Sequence, residues 1–155
     1  MQLARMMGQA ALAVLISHGA AADDAPQLML ETGGHLGIVR SLAFTTSTNR
    51  LVSAGDDKVI RVWDLATKRT DFVLRGQAGL GKEGSITALA ISPDDRWLVA
   101  GGWFSADGAL EPCCGDVRVY DLSQRKLVAL LKGHTDALTS LAFSSDGRHL
   151  LSGSA

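Results

Sequence analysis

Apolar positions in this chain come in short bursts, and the bursts recur. Three runs read alike: Val39-Arg40-Ser41-Leu42-Ala43-Phe44, Ile86-Thr87-Ala88-Leu89-Ala90-Ile91 and Leu138-Thr139-Ser140-Leu141-Ala142-Phe143. Each leads through a turn into a second matched run: Leu51-Val52-Ser53-Ala54-Gly55, Leu98-Val99-Ala100-Gly101-Gly102 and Leu150-Leu151-Ser152-Gly153-Ser154. The turns are built from reversal-favouring residues, as in Ser92-Pro93-Asp94-Asp95 and Ser144-Ser145-Asp146-Gly147. Short β-rich runs split by turns predict an all-β array. The expected strands are Val39–Phe44, Arg50–Ala54, Val59–Asp64 and Thr70–Leu74, then Ile86–Ile91, Trp97–Gly101, Val117–Asp121 and Leu127–Leu131, then Leu138–Phe143 and His149–Gly153. Their nearly continuous apolar character suits sheets covered on both faces.

Phe44 to Ile91 is 47 residues and Ile91 to Phe143 is 52. The first interval carries 5 extra residues within Gln77 to Ser85, and the second carries 10 extra before Val117. Without them both intervals come to 42 residues. The stretch from Gly34-His35 to Asp56-Asp57-Lys58-Val59-Ile60-Arg61-Val62-Trp63-Asp64 then resembles one complete WD40 repeat, and Gly133-His134 opens another, with His134 nine residues before Phe143 as His35 is nine before Phe44. The period also suits that family, whose repeats run about 40–45 residues. The resemblance covers residues 27–155. It implies a partial WD40 β-propeller of about two and a half blades of four-stranded antiparallel sheet, with the ring not closed. Blade 1 is expected at about 39–74, blade 2 at 86–131, and blade 3 begins over 138–155. Gln27–Thr32 is expected to be an outer strand of a preceding or closing blade. Such an array shows bare apolar blade faces at both ends, which favours self-association, and carries no polar caps. A fragment of a longer protein is the expectation, and aggregated or molten species are expected of the isolated chain.

Composition narrows the function. Charged residues make up 20% of the 155 and the net charge is −1, with no basic run, so bulk electrostatics give a nucleic-acid partner no support. The first 22 residues differ from the rest. Arg5 precedes the apolar stretch Ala10–Ile16, and Ala20-Ala21-Ala22 then gives way to Asp23-Asp24. A basic start, a short apolar centre and a small-residue site describe an export signal, with cleavage after Ala22. The mature domain is then 23–155, exported to the periplasm or secreted, with no membrane contact after cleavage.

Candidate chemistry is sparse. His35, Ser53, Asp57 and Trp63 tempt one toward a catalytic triad, but the resemblance implies a structural hydrogen-bonded tetrad, and no oxyanion hole is indicated. His134 and Ser152 form a partial tetrad, expected to leave His134 half satisfied. Blade 2 lacks the set: Lys82, Ala100, Cys114 and Tyr120 occupy the His, Ser, Asp and Trp registers, and this blade is expected to be less rigid. The inserted loop holds Trp103, Phe104, Glu111, Cys113 and Cys114, with both aromatics expected to be exposed, and is a candidate binding loop. Two adjacent cysteines without further ligands argue weakly for metal, so neither metal nor cofactor is expected. Gly76–Lys82 does not match a phosphate loop, since Glu83 follows Lys82. Arg40, Arg61 and Arg118 are expected as rim or strand-surface charges. The function expected is a non-catalytic protein-interaction scaffold holding a protein or peptide partner. The alternative is the recognition region of an exported hydrolase, a caspase-like peptidase, whose catalytic domain lies outside this sequence.

Overall fold

The computed structural model describes residues 12–13, 29–30, 33–76, 79, 81–104 and 115–155. The chain forms two compact units, Met1–Gly34 and His35–Ala155. In the first, β1 (Leu12–Ala13) pairs antiparallel with β2 (Met29–Leu30). Of Gln27–Thr32, the described Met29–Leu30 pair with Leu12–Ala13, which satisfies backbone groups within the unit itself. The rest of the candidate leader lies outside the described residues.

The second unit is all-β. Blade 1 is a four-stranded antiparallel sheet of β3 (Val39–Phe44), β4 (Arg50–Gly55), β5 (Val59–Asp64) and β6 (Arg69–Arg75) in simple sequential order. Blade 2 repeats the order with β7 (Ile86–Ile91), β8 (Trp97–Gly102), β9 (Val117–Asp121) and β10 (Lys126–Leu131). A half-blade of β11 (Leu138–Phe143) and β12 (Leu150–Ser154) follows. The blades meet along their first strands, with β3 against β7 and β7 against β11. The result is an open arc of propeller-like blades.

Local chemistry explains the regularity. Every first hairpin has the same register break near its start, between Val39 and Ser41, Ile86 and Ala88, and Leu138 and Ser140. A bulge at one place in each repeat re-aims one side chain, and that side chain is Arg40, Thr87 or Thr139. In the turn that follows, the first residue braces the far side. Thr45, Ser92 and Ser144 hydroxyls accept from the backbone N–H of Arg50, Trp97 and His149 at 2.8, 2.8 and 2.9 Å. After the third strand, Asp64 Oδ1 accepts from Ala66 and Thr67 N–H, and Asp121 Oδ1 from Ser123 and Gln124 N–H. These bonds form an Asx turn, which ends the strand and starts the return.

The core lies between blades. One cluster joins Val52, Ala54, Ile60 and Val62 of blade 1 to Ile86, Leu89, Leu98 and Ala100 of blade 2. A second joins Val99 and Val117 of blade 2 to Leu138, with Leu141, Phe143 and Leu150 packed against it. Blade 2 therefore has one face toward the blade before it and one toward the blade after.

Candidate functional site

Blade 1 draws four polar side chains together from four segments. His35 lies in the loop before β3, Ser53 on β4, Asp57 in the turn after it, and Trp63 on β5. Trp63 Nε1 donates to Ser53 Oγ at 2.7 Å. Ser53 Oγ lies 2.7 Å from His35 Nε2, and His35 Nδ1 lies 2.7 Å from Asp57 Oδ2. A carboxylate only accepts, so Nδ1 carries the proton and donates to Asp57. Nε2 then accepts from the Ser53 hydroxyl, whose oxygen receives the indole N–H. Asp57 Oδ2 also accepts from Leu36 N–H at 3.1 Å. Ser53 and the His35 and Asp57 side chains are buried or nearly so. A serine nucleophile needs an approach for a carbonyl and donors for an oxyanion. Here the hydroxyl is enclosed between an indole and an imidazole, and the arrangement acts as a brace.

Blade 2 fills the same place differently. Trp103 N–H bonds Ser85 O at 2.9 Å as Asp56 N–H bonds Ile38 O at 2.9 Å, so the residue at the Asp57 position, counted from β8, is Phe104. Phe104 is buried in the inter-blade core, which corrects its reading as an exposed loop aromatic. With Ala100 where Ser53 stands in blade 1, the site has an apolar hole that the ring occupies. The Arg118 guanidinium lies 4.0 Å from the ring centroid, a cation–π contact. Arg118 also bonds the Tyr120 hydroxyl; burial pushes that phenol above its ordinary value against the opposing charge and bond of Arg118. Trp103 stays exposed, with Lys82 Nζ 5.3 Å from its ring centroid. Lys82 and Trp103, which hold the registers of His35 and Asp56, thus make a surface pair, while the buried Phe104 takes the Asp57 register.

Arg61 and Arg118 are buried, not surface charges, because the third strand on which each stands is covered by neighbouring structure. Arg40 is exposed and pairs with Asp56, at 3.0 Å from Nε and 2.8 Å from Nη2. In blade 3, His134 Nε2 lies 2.7 Å from Ser152 Oγ and Nδ1 lies 3.1 Å from Ser154 Oγ. Both ring nitrogens have partners, so the expectation of a half-satisfied ring is corrected: Ser154 stands in for an aspartate. Glu111, Cys113 and Cys114 lie outside the described residues. Among the described residues no cluster of three His, Cys, Asp or Glu is placed to hold a metal ion.

One functional residue escaped the sequence reading. Asp95, in the β7–β8 turn, crosses to blade 1 and accepts from Thr46 N–H at 2.7 Å, Ser47 N–H at 2.6 Å and Ser47 Oγ at 2.6 Å. Burial works to raise its pKa, but these bonds together outweigh it and hold the carboxyl below the ordinary 3.8. The equivalent residue in blade 3 is Gly147, which packs against Pro93 instead. An aspartate at this one turn, where the other repeats place Thr48 and Gly147, was the available signal.

The comparisons agree with this architecture. The family model for the WD domain, G-beta repeat, matches residues 26–64, 73–111 and 125–155. The chain is 33% identical over 118 residues to transducin beta-like protein 3 of Rattus norvegicus, covering 76% of this chain and 13% of that protein. It is 32% identical over 126 residues to autophagy-related protein 16 of Arabidopsis thaliana, covering 81% of this chain and 23% of the relative. It is 30% identical over 128 residues to small ribosomal subunit protein RACK1 of Candida albicans, covering 77% and 35%. The chain thus spans between about an eighth and a third of the length of these relatives. Nothing in them supports a caspase-like hydrolase or an exported bacterial setting. With blades and bulges recurring in register, an aromatic-Asp strand end at Trp63-Asp64 and Tyr120-Asp121, and the repeat model matching three times, the chain belongs to the WD40 repeat family.

Proposed function

We propose that this chain is a non-catalytic interaction module whose blades hold a protein or peptide partner. The observation that carries the reading is the closed bonding of His35, Ser53, Asp57 and Trp63. Among the described residues, this constellation that imitates a catalytic triad is used up in bracing blade 1. Family membership supports the same conclusion. The partner face we assign is the blade end where first strands begin and second strands finish, since Val39 pairs Gly55 and Ile86 pairs Gly102 there. It offers exposed Leu36, Ile38 and Trp103 beside the Arg40–Asp56 pair and Lys82. Apolar anchors among paired charges suit a peptide with a hydrophobic side chain flanked by charge.

The test is selection of binders from a displayed peptide library on the full chain, followed by calorimetry. Trp103→Ala and Leu36→Ala are expected to weaken the selected peptides about fivefold or more, in line with losses above ~1 kcal/mol at anchor residues. Binding that ignores both substitutions would remove this face from consideration. Peptides cleaved by the purified chain would end the non-catalytic reading.

We also propose that residues 1–22 act as an export leader, on the strength of Arg5, the Ala10–Ile16 stretch and Ala20-Ala21-Ala22. Fusing residues 1–30 to a reporter active only outside the bacterial cytoplasm is expected to give activity and a new N-terminus at Asp23. An inactive, uncleaved fusion would refute it.

A further inference from the structure

β6 and β10 hold the same place, the outermost strand of their blades, yet their edges are built differently. Pairing fixes the register. Trp63 faces Thr70 and Val62 faces Phe72, which leaves Asp71 in the bulge of β6. Tyr120 faces Leu127 and Val119 faces Ala129, which leaves Val128 in the bulge of β10. Asp71 is engaged by Arg50 at 2.7 Å and by Arg125 at 3.5 Å, and the Arg125 guanidinium lies 4.5 Å from the Phe72 ring centroid. A charged residue in mid-strand, covered by two arginines, closes a sheet edge to other strands. β10 has no such residue. Between Lys126 and Lys132 it reads Leu127-Val128-Ala129-Leu130-Leu131, and the whole strand is exposed.

At two of these positions the exposure does not come from a missing neighbour. Paired residues of adjacent strands point to one face of a sheet, so Leu127 and Leu130 share the face of Tyr120 and Arg118. That face looks toward blade 1, which has all four strands. Tyr120 belongs to the core shared with blade 1, and Arg118 Nη1 stands 2.9 Å from where a Cβ on Gly76, just past β6, would sit. Leu127 and Leu130 are nevertheless 42% and 41% exposed. Their counterparts in β6, Thr70 and Val73, are half-buried. Among the described residues no strand lies beyond β10, so its outward N–H and C=O groups form an open edge.

The ends of the strand decide what can pair with it. Arg125 and Lys126 stand at one end and Lys132 at the other, all exposed, and among the described residues neither lysine takes an ion pair. A second β10 laid along this edge would bring lysine toward lysine in either direction. An extended segment with an acidic residue at each end would meet opposite charge in either direction.

We propose that β10 is a strand-addition site: an extended segment of another protein, apolar in its middle and acidic at both ends, pairs with the outer edge of blade 2. Its main chain bonds the outward N–H and C=O groups of β10, its apolar side chains lie beside Leu127 and Leu130, and its end carboxylates meet Lys126 and Lys132. The site runs along the rim, whereas the peptide face proposed above lies at the blade ends, and neither reading needs the other.

The experiment uses the full chain and two synthetic peptides of the length of β10. Both alternate valine and threonine through the middle; one ends in glutamates, the other in lysines. Calorimetry reads affinity, and hydrogen exchange with mass spectrometry reads location. The glutamate peptide is expected to bind about tenfold more tightly, a margin supplied by the charge pairs at its two ends and reduced at high salt. It is expected to slow exchange in β10 and leave β6 unchanged. In a chain carrying both Lys126→Glu and Lys132→Glu, at exposed positions, the preference is expected to reverse. Leu130→Ser, checked for folding by near-ultraviolet circular dichroism, is expected to weaken the glutamate peptide about fivefold. The comparison of the two peptides on the wild type needs no variant to fold. Failure of both peptides to bind, equal affinity for the two, a preference that survives the charge reversal, or slowed exchange in β6 or at the blade ends in place of β10 would each overturn the proposal.

Discussion

Trp63 and Asp95 show how single atoms hold this fold. Trp63→Phe keeps an aromatic ring, though a smaller one, and deletes one donor, leaving Ser53 Oγ without the bond it now receives at 2.7 Å. A buried acceptor that loses its partner costs about 1–3 kcal/mol, and urea denaturation is expected to show a loss of that size with little change in slope. A change below a few tenths would mean the tetrad does not brace the blade. Asp95 makes a pH argument. Its folded pKa lies below the ordinary 3.8, so the folded state favours the ionised form. The stabilisation is complete above the unfolded value and is lost as pH falls through the folded one. Asp64 and Asp121 are lowered as well, first by hydrogen bonds from their own turns, and act in the same direction. Stability is therefore expected to fall below about pH 4. Asp95→Asn tolerates the left-handed φ of 57° but forfeits the charge. It is expected to cost about 1–3 kcal/mol at neutral pH and to flatten the acid limb of the stability profile. An unchanged acid limb would show that the clamp is incidental.

At the level of strands and turns, most of the architecture was legible because its causes are local. Apolar runs, Ser and Asp at turn starts, and a Trp-Asp strand end each act within a few residues, and the strands fall within a residue or two of the runs that predicted them. What was illegible depends on distant partners. Phe104 looked like an exposed loop aromatic because nothing local says that Ala100 and Arg118 leave a hole for it. The Asp95 clamp spans 48 residues to Ser47, and Ser154 replaces an aspartate only because the end of β12 brings its hydroxyl to His134. The fit between elements can be tested at Gly101. Gly101→Ala places a methyl group 2.8 Å from the Leu138 side chain. Overpacking of this kind costs about 1–3 kcal/mol. Because the two sites touch, the loss is expected to shrink in a Leu138→Ala background, giving a clear coupling in a double-mutant cycle. Strict additivity would mean that blades 2 and 3 do not meet through this pair.

For the second unit as a whole, stability depends on which faces are covered. Repeat arrays gain stability from each blade itself and from each joint with a neighbour. Blade 2 has joints on both sides, through the cluster around Leu98 and Ala100 and through the one around Val99 and Leu138. Blade 1 has one joint and the Asp95 clamp, while the half-blade has one joint and only two strands. Local opening should follow that order, since amides exchange at the free energy of the smallest opening that frees them. Exchange is expected to be slowest in β8 and β9, intermediate in β4 and β5, and fastest in β11 and β12. The outer strand β10 is exposed along all six residues, so it should exchange ahead of β6, whose Phe72 is sheltered by Arg125 from blade 2. If β12 matched β8, joint counting would be the wrong account of this fold, and the half-blade would have to owe its stability to something other than its one neighbour.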